Sequence, residues 1–137
     1  RRPDVRGGPQ EGGAGVTSIV GRDHGQGAGP AGSEDTLRQF YGQVLDMAEV
    51  PKPPVLAARG GVWFRAGSCE IHCGVEDPFT AAHKAHPGIA VSDVAALALT
   101  AGGSGAPVHW DDNLPGVRRF HTQDPVGNRL EFQQVQA

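Results

Sequence analysis

The sequence has little that would suit a nucleic acid, a membrane or a disulfide framework. Its 12 Lys and Arg against 15 Asp and Glu give a net charge of -3, so it offers no basic field for phosphate backbones. No stretch approaches the about 20 apolar residues of a membrane span, and no secretory signal peptide is visible. The chain has 2 cysteines, Cys69 and Cys73, whose side chains would share one face of a strand, a poor geometry for a disulfide. We therefore expect reduced thiols and a cytoplasmic protein that binds neither nucleic acid nor membrane.

Length and composition predict one folded domain preceded by an arm. A chain of 137 residues is long enough to bury one hydrophobic core. Residues 1–15 are rich in glycine and lack apolar periodicity, which is typical of an arm. We expect a single domain over residues 16–135.

The rest of the sequence consists of two similar halves, at about residues 16–76 and 86–135. Each half has a segment of helical period followed by short strands. The spacing is nearly constant, since 62 positions separate His24 from His86 and 59 separate His72 from Glu131. A fixed period indicates a repeated unit. The prediction is an α+β fold of two tandem βαβββ modules, whose mixed sheets curl around a cleft.

Particular residues mark the predicted elements. An amphipathic helix should begin at Ser33, an N-cap residue, and end near Asp46, because prolines follow from Pro51. In the second module Asp93 should cap a helix that ends at the glycine pair 102–103. Strands are predicted near residues 16–24, 55–58, 62–65, 69–74, 89–91, 107–110, 117–122 and 129–135.

Four polar residues occupy equivalent positions of the two halves: His24, His72, His86 and Glu131. Imidazole and carboxylate are accepted as ligands by Zn, Ni, Mn and Fe(II). Two His and one carboxylate would leave coordination positions open for a substrate and for water or dioxygen. The alternative is that these residues are ordinary hydrogen-bonded strand residues.

Several motifs together resemble the vicinal oxygen chelate superfamily, which contains glyoxalase I, bleomycin-resistance proteins, fosfomycin-resistance transferases and extradiol dioxygenases. The resemblance covers roughly residues 16–135. The motifs are Asp23-His24, Gly32-Ser33-Glu34, Arg38-x-Phe40-Tyr41-x-x-Val44-Leu45, Arg59-Gly60-Gly61-x-Trp63-Phe64, Glu70-Ile71-His72, Ala85-His86-Pro87 and Asp124-Pro125-x-Gly127-Asn128-Arg129-Leu130-Glu131. The fold implied is the glyoxalase/bleomycin resistance/dihydroxybiphenyl dioxygenase-like fold.

The resemblance also implies a function. Metal-using members take ligands from the first and last strand of each module, which correspond here to His24, His72, His86 and Glu131. The implied protein is a divalent-metal-dependent lyase or dioxygenase for a small substrate with vicinal oxygens. His72 and Glu131 are its candidate catalytic residues. Superfamily members pair modules within a chain or across a dimer, so we expect a homodimer.

One departure from the family pattern keeps a second function open. Gly25, Gly27 and Gly29 stand where this family has apolar side chains on its first strand, and glycine weakens a strand. If that strand were displaced, His24 would leave the site. The alternative is a metal-free drug-binding protein of the bleomycin-resistance type, with an aromatic cleft. In either case the candidate pocket residues are Arg59, Trp63, Phe64, Trp110, Arg119 and Phe120.

Overall fold

The computed structural model describes residues 19–21 and 24–135 of the chain; the predicted arm at residues 1–15 lies outside them. The strands are β1 (Ile19–Gly21), β2 (His24–Gly29), β3 (Ala48–Val50), β4 (Val62–Ala66), β5 (Cys69–Val75), β6 (Gly88–Val91), β7 (His109–Asp111), β8 (Val117–Gln123) and β9 (Arg129–Val135). The helices are α1 (Glu34–Leu37), which continues as a π-helical segment (Arg38–Val44), α2 (Pro54–Ala57) and α3 (Val94–Gly103).

The strands form two open mixed sheets of the same design. The first sheet has four strands in the order β2-β5-β4-β3, and the second has five in the order β1-β6-β9-β8-β7. In each sheet the first strand of the module runs parallel to the last, β2 beside β5 and β6 beside β9. The predicted α+β fold of two βαβββ modules is confirmed.

The first module's helix buries one face, as its period predicts. Leu37, Phe40 and Tyr41 are all at most 4% exposed. Ser33 precedes the helix, but its hydroxyl donates to the carbonyl of Pro30 rather than capping a helical N–H. The helix is therefore stabilised by burial of its apolar face rather than by a side-chain cap.

The second module's helix, α3, matches its sequence signals. The Asp93 carboxylate accepts a hydrogen bond from the N–H of Ala96 at 3.1 Å, which satisfies one of the unpaired donors of the first turn. Val94, Leu97 and Ala101 are at most 1% exposed. The helix ends at Gly103, as predicted.

One predicted strand is wrong. Residues 54–57 form α2, with proline in its first positions, and the outer strand of this sheet is β3, earlier in the chain. Proline is well suited to the first turn of a helix, where its missing N–H costs no hydrogen bond. Val55 is 73% exposed, so the apolar residues of this segment do not mark a buried strand.

The glycine-rich strand β2 forms despite its composition. Its residues pair with β5 in unbroken parallel register, from His24 opposite Glu70 to Gly29 opposite Val75. Backbone hydrogen bonds to β5 hold this strand in the sheet. Its three glycines, at positions 25, 27 and 29, leave one of its faces without side chains. The strand predicted near residues 16–24 is thus observed as two strands, β1 in the second sheet and β2 in the first.

Contacts between the modules make the two halves one structure. β1 pairs antiparallel with β6 of the second sheet. The Tyr41 hydroxyl donates to the Asp124 carboxylate at 2.7 Å in a buried contact. The Asn128 amide donates to the carbonyl of Ala28 on β2 at 2.6 Å. The helix and the first strand of one module are thus tied to the turn before the last strand of the other.

Both cysteines lie on the core side of β5. Cys69 and Cys73 form no disulfide and are 0% exposed, and they share the face that the alternation of a strand predicts. Burial raises the pKa of the Cys73 thiol to about 12. Of the helices within the described residues, none has the length and apolar character needed to cross a bilayer.

Candidate metal centre

Three potential ligands converge on one face of the second sheet. His86 lies just before β6, His121 is on β8 and Glu131 is on β9 directly opposite His121. β9 lies between β6 and β8, so the carboxylate is central and a histidine lies on each side. One ligand atom from each residue lies within 4.8 Å of the other two.

The carboxylate of Glu131 directs one oxygen at both imidazoles. Its Oε1 lies 2.9 Å from His86 Nε2 and 3.5 Å from His121 Nε2. The two rings are nearly perpendicular, with centroids 5.2 Å apart. The Glu131 side chain is 9% exposed and that of His121 is 17% exposed, whereas His86 as a whole residue is exposed. The cluster is therefore sheltered by the sheet and open on the His86 side.

Both ring nitrogens of His86 face hydrogen-bond acceptors. Nδ1 lies 2.7 Å from the carbonyl oxygen of Lys84, and Nε2 lies 2.9 Å from the Glu131 carboxylate. Both partners only accept hydrogen bonds, whereas a neutral imidazole has one donor and one acceptor nitrogen. A neutral imidazole can donate to only one of these acceptors, and a metal cation in place of the Nε2 proton would satisfy the other.

A chain of ion pairs fixes the other oxygen of Glu131. Arg119 Nη1 donates to Glu131 Oε2 at 3.1 Å, and Arg119 Nη2 lies 3.1 Å from Asp111 Oδ2. Asp111 in turn accepts from the N–H of Asn113 and lies 3.9 Å from His121 Nδ1. The chain crosses the sheet from the outer strand β7 to Glu131.

These contacts keep both carboxylates ionised. Burial of Glu131 acts to raise the pKa of its carboxyl, but hydrogen bonds from His86 and Arg119 outweigh burial, so that the pKa is lowered. The N–H of Asn113 is the largest cause of the lowered pKa of Asp111. An ionised carboxylate is the form that binds metal.

The donor set fits a divalent metal. Two imidazole nitrogens and one carboxylate oxygen suit Zn and the Mn, Fe(II), Co and Ni ions. The backbone carbonyl of Lys84 and the guanidinium of Arg119 supply the outer contacts that orient ligands of this kind. The positive charge of Arg119 opposes a cation, but Asp111 pairs with it.

His72 does not belong to this group among the described residues. Its ring stacks on Trp63, with centroids 3.8 Å apart and an interplanar angle of 6°. His72 Nε2 lies 2.9 Å from Glu70 Oε1, and Arg65 lies 2.6 Å from Glu70 Oε2. Burial acts to raise the pKa of Glu70, but hydrogen bonds from His72 and Arg65 leave it lowered. The first module therefore has its own cluster of side chains, formed by Trp63, Arg65, Glu70 and His72.

The fourth predicted ligand, His24, is described only in its backbone, which pairs with Glu70. Its side chain lies outside the described part of the structure.

The predicted pocket residues divide into two groups. Phe64 and Phe120 are 0% exposed and belong to the hydrophobic core; strand alternation directs them away from the open face. Trp63 lies on that face against His72, and Arg59 is exposed after α2. Trp110 is 43% exposed, and the Arg118 guanidinium lies 4.4 Å from its ring centroid.

A cleft of about 660 Å³ lies where the modules meet. Its walls include Gly25 and Gly27 of β2, Phe79 and His86. A Cβ at Gly25 would meet its nearest neighbours at 3.4 Å, and one at Gly27 at 3.6 Å. A side chain larger than a methyl group at either glycine would therefore meet the wall of the cleft, and His86 borders both this cleft and the ligand cluster.

Neither His121 nor Asp111 is indicated by a motif or by the repeat. The repeat relates Glu131 to His72, and the strand partner of His72 is Trp63, whereas that of Glu131 is His121. A search for the same residue type in both halves therefore misses His121. The available signal was the alternation of β8, which places His121 on the face of Arg119. Asp111 is the last residue of β7, where it pairs with Arg119.

Comparison with solved structures identifies the family. A glyoxalase family protein from Bacillus anthracis is 43% identical over 86% of this chain and 97% of its own, with a TM-score of 0.80. The chain belongs to the glyoxalase family. No protein-family model matches the sequence, and no curated protein matches it either.

More distant structures share the fold. A lactoylglutathione lyase from Agrobacterium tumefaciens is 18% identical over 83% of this chain and 92% of its own, with a TM-score of 0.62. An antibiotic binding protein from Streptomyces sp. CB03234 is 18% identical over 80% of this chain and 93% of its own, with a TM-score of 0.60. The resemblance of this glyoxalase family member to the vicinal oxygen chelate superfamily is confirmed by its 43% identity to the glyoxalase family protein. The two distant structures show that the same fold occurs in an enzyme and in a binding protein.

Proposed function

We propose that this glyoxalase family member is a divalent-metal-dependent enzyme of the lyase or dioxygenase type, acting on a small substrate with vicinal oxygens. The observation that carries the proposal is the environment of His86, whose two ring nitrogens both face acceptors. A metal at Nε2 would satisfy the imidazole and the Glu131 carboxylate together. His86 and Glu131 are the proposed ligands in common with the family pattern.

The side chains around these ligands have separate roles in the proposal. The carbonyl of Lys84 holds the Nδ1 proton of His86, which leaves Nε2 as the ligand atom. Arg119 holds Oε2 of Glu131, so that Oε1 is available to the metal. When bound, the metal supplies a Lewis acid that polarises the substrate oxygens. The cleft beside His86 admits the substrate.

Other features of the proposal extend from the sequence. His72 is the candidate base, oriented by Glu70 at 2.9 Å and by Trp63. Trp63 and Arg59 contribute to substrate binding. A cytoplasmic homodimer remains our expectation for the assembly.

Metal content tests the proposal. Untagged protein, incubated separately with Zn, Ni, Mn and anaerobic Fe(II) and then desalted, is analysed by elemental mass spectrometry. We expect close to one metal ion per chain in the wild type and in His109→Ala, an exposed histidine on β7. His86→Ala and Glu131→Gln should each lose the metal. Wild-type protein that retains none of the four metals would refute the proposal.

A metal-free binding protein is the second candidate, and the cleft of about 660 Å³ favours it. That volume is in the range of small-molecule sites, and glycines rather than side chains form part of its wall. This candidate predicts that an aromatic or cationic ligand raises the melting temperature equally with and without EDTA. Gly25→Val should abolish that increase by filling the cleft, whereas a ligand effect that requires metal would favour the enzyme.

A further inference from the structure

Building on the proposed function, we infer that His121 is a third ligand, with His86 and Glu131, of a divalent-metal site. The family resemblance implies a ligand set divided between the modules, with His24 and His72 from the first. His121 is outside that set.

The distances support three ligands from neighbouring strands. Metal bonds of about 2.1 Å that meet at tetrahedral or octahedral angles place ligand atoms about 3.0–3.4 Å apart. Glu131 Oε1 already lies 2.9 Å from His86 Nε2 and 3.5 Å from His121 Nε2. Glu131 lies on β9, His121 lies on its neighbour β8, and His86 lies just before β6, the neighbour on the other side. A small change of side-chain torsions would bring all three ligand atoms to a common cation.

The outer contacts are arranged for the same three residues. Arg119 bridges Glu131 and Asp111, and Asp111 Oδ2 lies 3.9 Å from His121 Nδ1. A carboxylate near Nδ1 favours the tautomer in which Nε2 is available to a metal. His121 and Glu131 are thus oriented by one pair of charged residues from β7 and β8.

His72 is committed to the first module. Its ring stacks against Trp63, and its Nε2 contacts a carboxylate that Arg65 also binds. Moving His72 to a metal at Glu131 would break the stacking and separate this histidine from Glu70. In the equivalent position of the second module the stacking partner is replaced by His121, which is itself a ligand type.

Cobalt binding tests the inference because Co²⁺ reports its coordination through its visible absorption spectrum. Metal-free wild-type protein is titrated with Co²⁺ by calorimetry and absorption, beside His121→Phe, His121→Gln, His72→Ala and His24→Ala. His109→Ala, from the strand beside β8, is the matched control. Circular dichroism and thermal unfolding verify that each variant is folded.

We expect both His121 variants to weaken Co²⁺ binding at least about 100-fold and to change its spectrum, because even outer contacts of metal sites are worth about 10–100-fold. His72→Ala and His109→Ala should bind within about threefold of the wild type, and His24→Ala shows whether the first strand also contributes a ligand. The wild-type stoichiometry should be one ion per chain and should not change on dilution, since one chain supplies all three ligands.

Other results would overturn the inference. If the His72 or His24 variant loses Co²⁺ while the His121 variants retain it, the ligands are divided between modules; the metalloenzyme proposal then stands without this inference. His121 variants that bind Co²⁺ as tightly as the wild type, with an unchanged spectrum, would show that His121 is not a ligand. A wild-type protein that binds no Co²⁺ and retains none of the other metals would refute the proposed function itself.

Discussion

The buried hydrogen bond between Tyr41 and Asp124 should be a major contributor to stability. The hydroxyl donates to Oδ2 at 2.7 Å, and the two residues are 1% and 4% exposed. In Tyr41→Phe, the ring retains its stacking on Phe64 at 5.2 Å and its edge contact with Phe40 at 5.1 Å. The substitution therefore isolates the hydroxyl.

The expected cost follows from what Asp124 loses. Its carboxylate keeps bonds from the N–H groups of Val126 and Asn128 and from the Asn128 amide at 2.8 Å. Water cannot easily replace the hydroxyl at a carboxylate that is 4% exposed. A hydrogen bond to a charged group contributes about 1.5–3 kcal/mol, so Tyr41→Phe should lower the free energy of unfolding by about 2 kcal/mol. The melting temperature should fall by about 5–10 °C.

Urea unfolding of wild type and Tyr41→Phe, followed by circular dichroism, measures this difference. The midpoint should move to lower urea with an unchanged slope. Asp35→Asn is the control, because the Asp35 side chain is 97% exposed in its pair with Arg38 and such pairs contribute about 0–1 kcal/mol. If Tyr41→Phe lowers the free energy of unfolding no more than Asp35→Asn does, the hydrogen bond between Tyr41 and Asp124 is not a major contributor to stability.

Two further predictions follow. Cys69 and Cys73 are buried, and the pKa of Cys73 is raised to about 12. Native protein at pH 8 should therefore not react with a thiol reagent such as DTNB, whereas denatured protein should react at both residues. Reaction of the native protein would contradict their burial. The Glu34 carboxylate accepts the N–H of Gly61 at 2.8 Å, and this bond lowers its pKa below 4.5, so it should stabilise the fold above that pH and be lost as the pH falls through the lowered value. Glu34→Gln should therefore reduce the acid dependence of the melting temperature between about pH 5 and pH 3; an unchanged profile would exclude this role.

The periodicity of the sequence predicted the parts of the fold that depend on burial. The helix around Phe40 and Tyr41 and the alternating strands were predictable because each buries one face against a sheet. Residues 55–58 are predicted as a strand, but most of them lie in the short helix α2. Their exposure and the preference of proline for the first helical turn explain the short helix instead.

The candidate site was only partly predictable, because it depends on register between strands. His86 and Glu131 were selected through the repeat, and they lie 2.9 Å apart. The first module has Trp63 at the position of His121, so the repeat does not indicate a ligand there. Only the pairing of β8 with β9 brings His121 to Glu131. The role of Arg119 also depends on that pairing and on β7, which supplies Asp111. Asp111 and Glu131 are both separated from Arg119 along the chain, and the pairing of the strands brings them to it.

The pairing of β1 with β6 means that the duplicated halves are no longer interchangeable parts. The sequence repeats with a boundary between residues 76 and 86, but the hydrogen bonds cross that boundary, since a strand from the beginning of the chain completes the edge of the second sheet. A fragment cut at the repeat boundary would expose the backbone donors and acceptors of β6, and an exposed strand edge recruits other chains. The repeat is thus visible in the sequence, whereas the folded protein cannot be divided at the repeat boundary without breaking the pairing of β1 with β6.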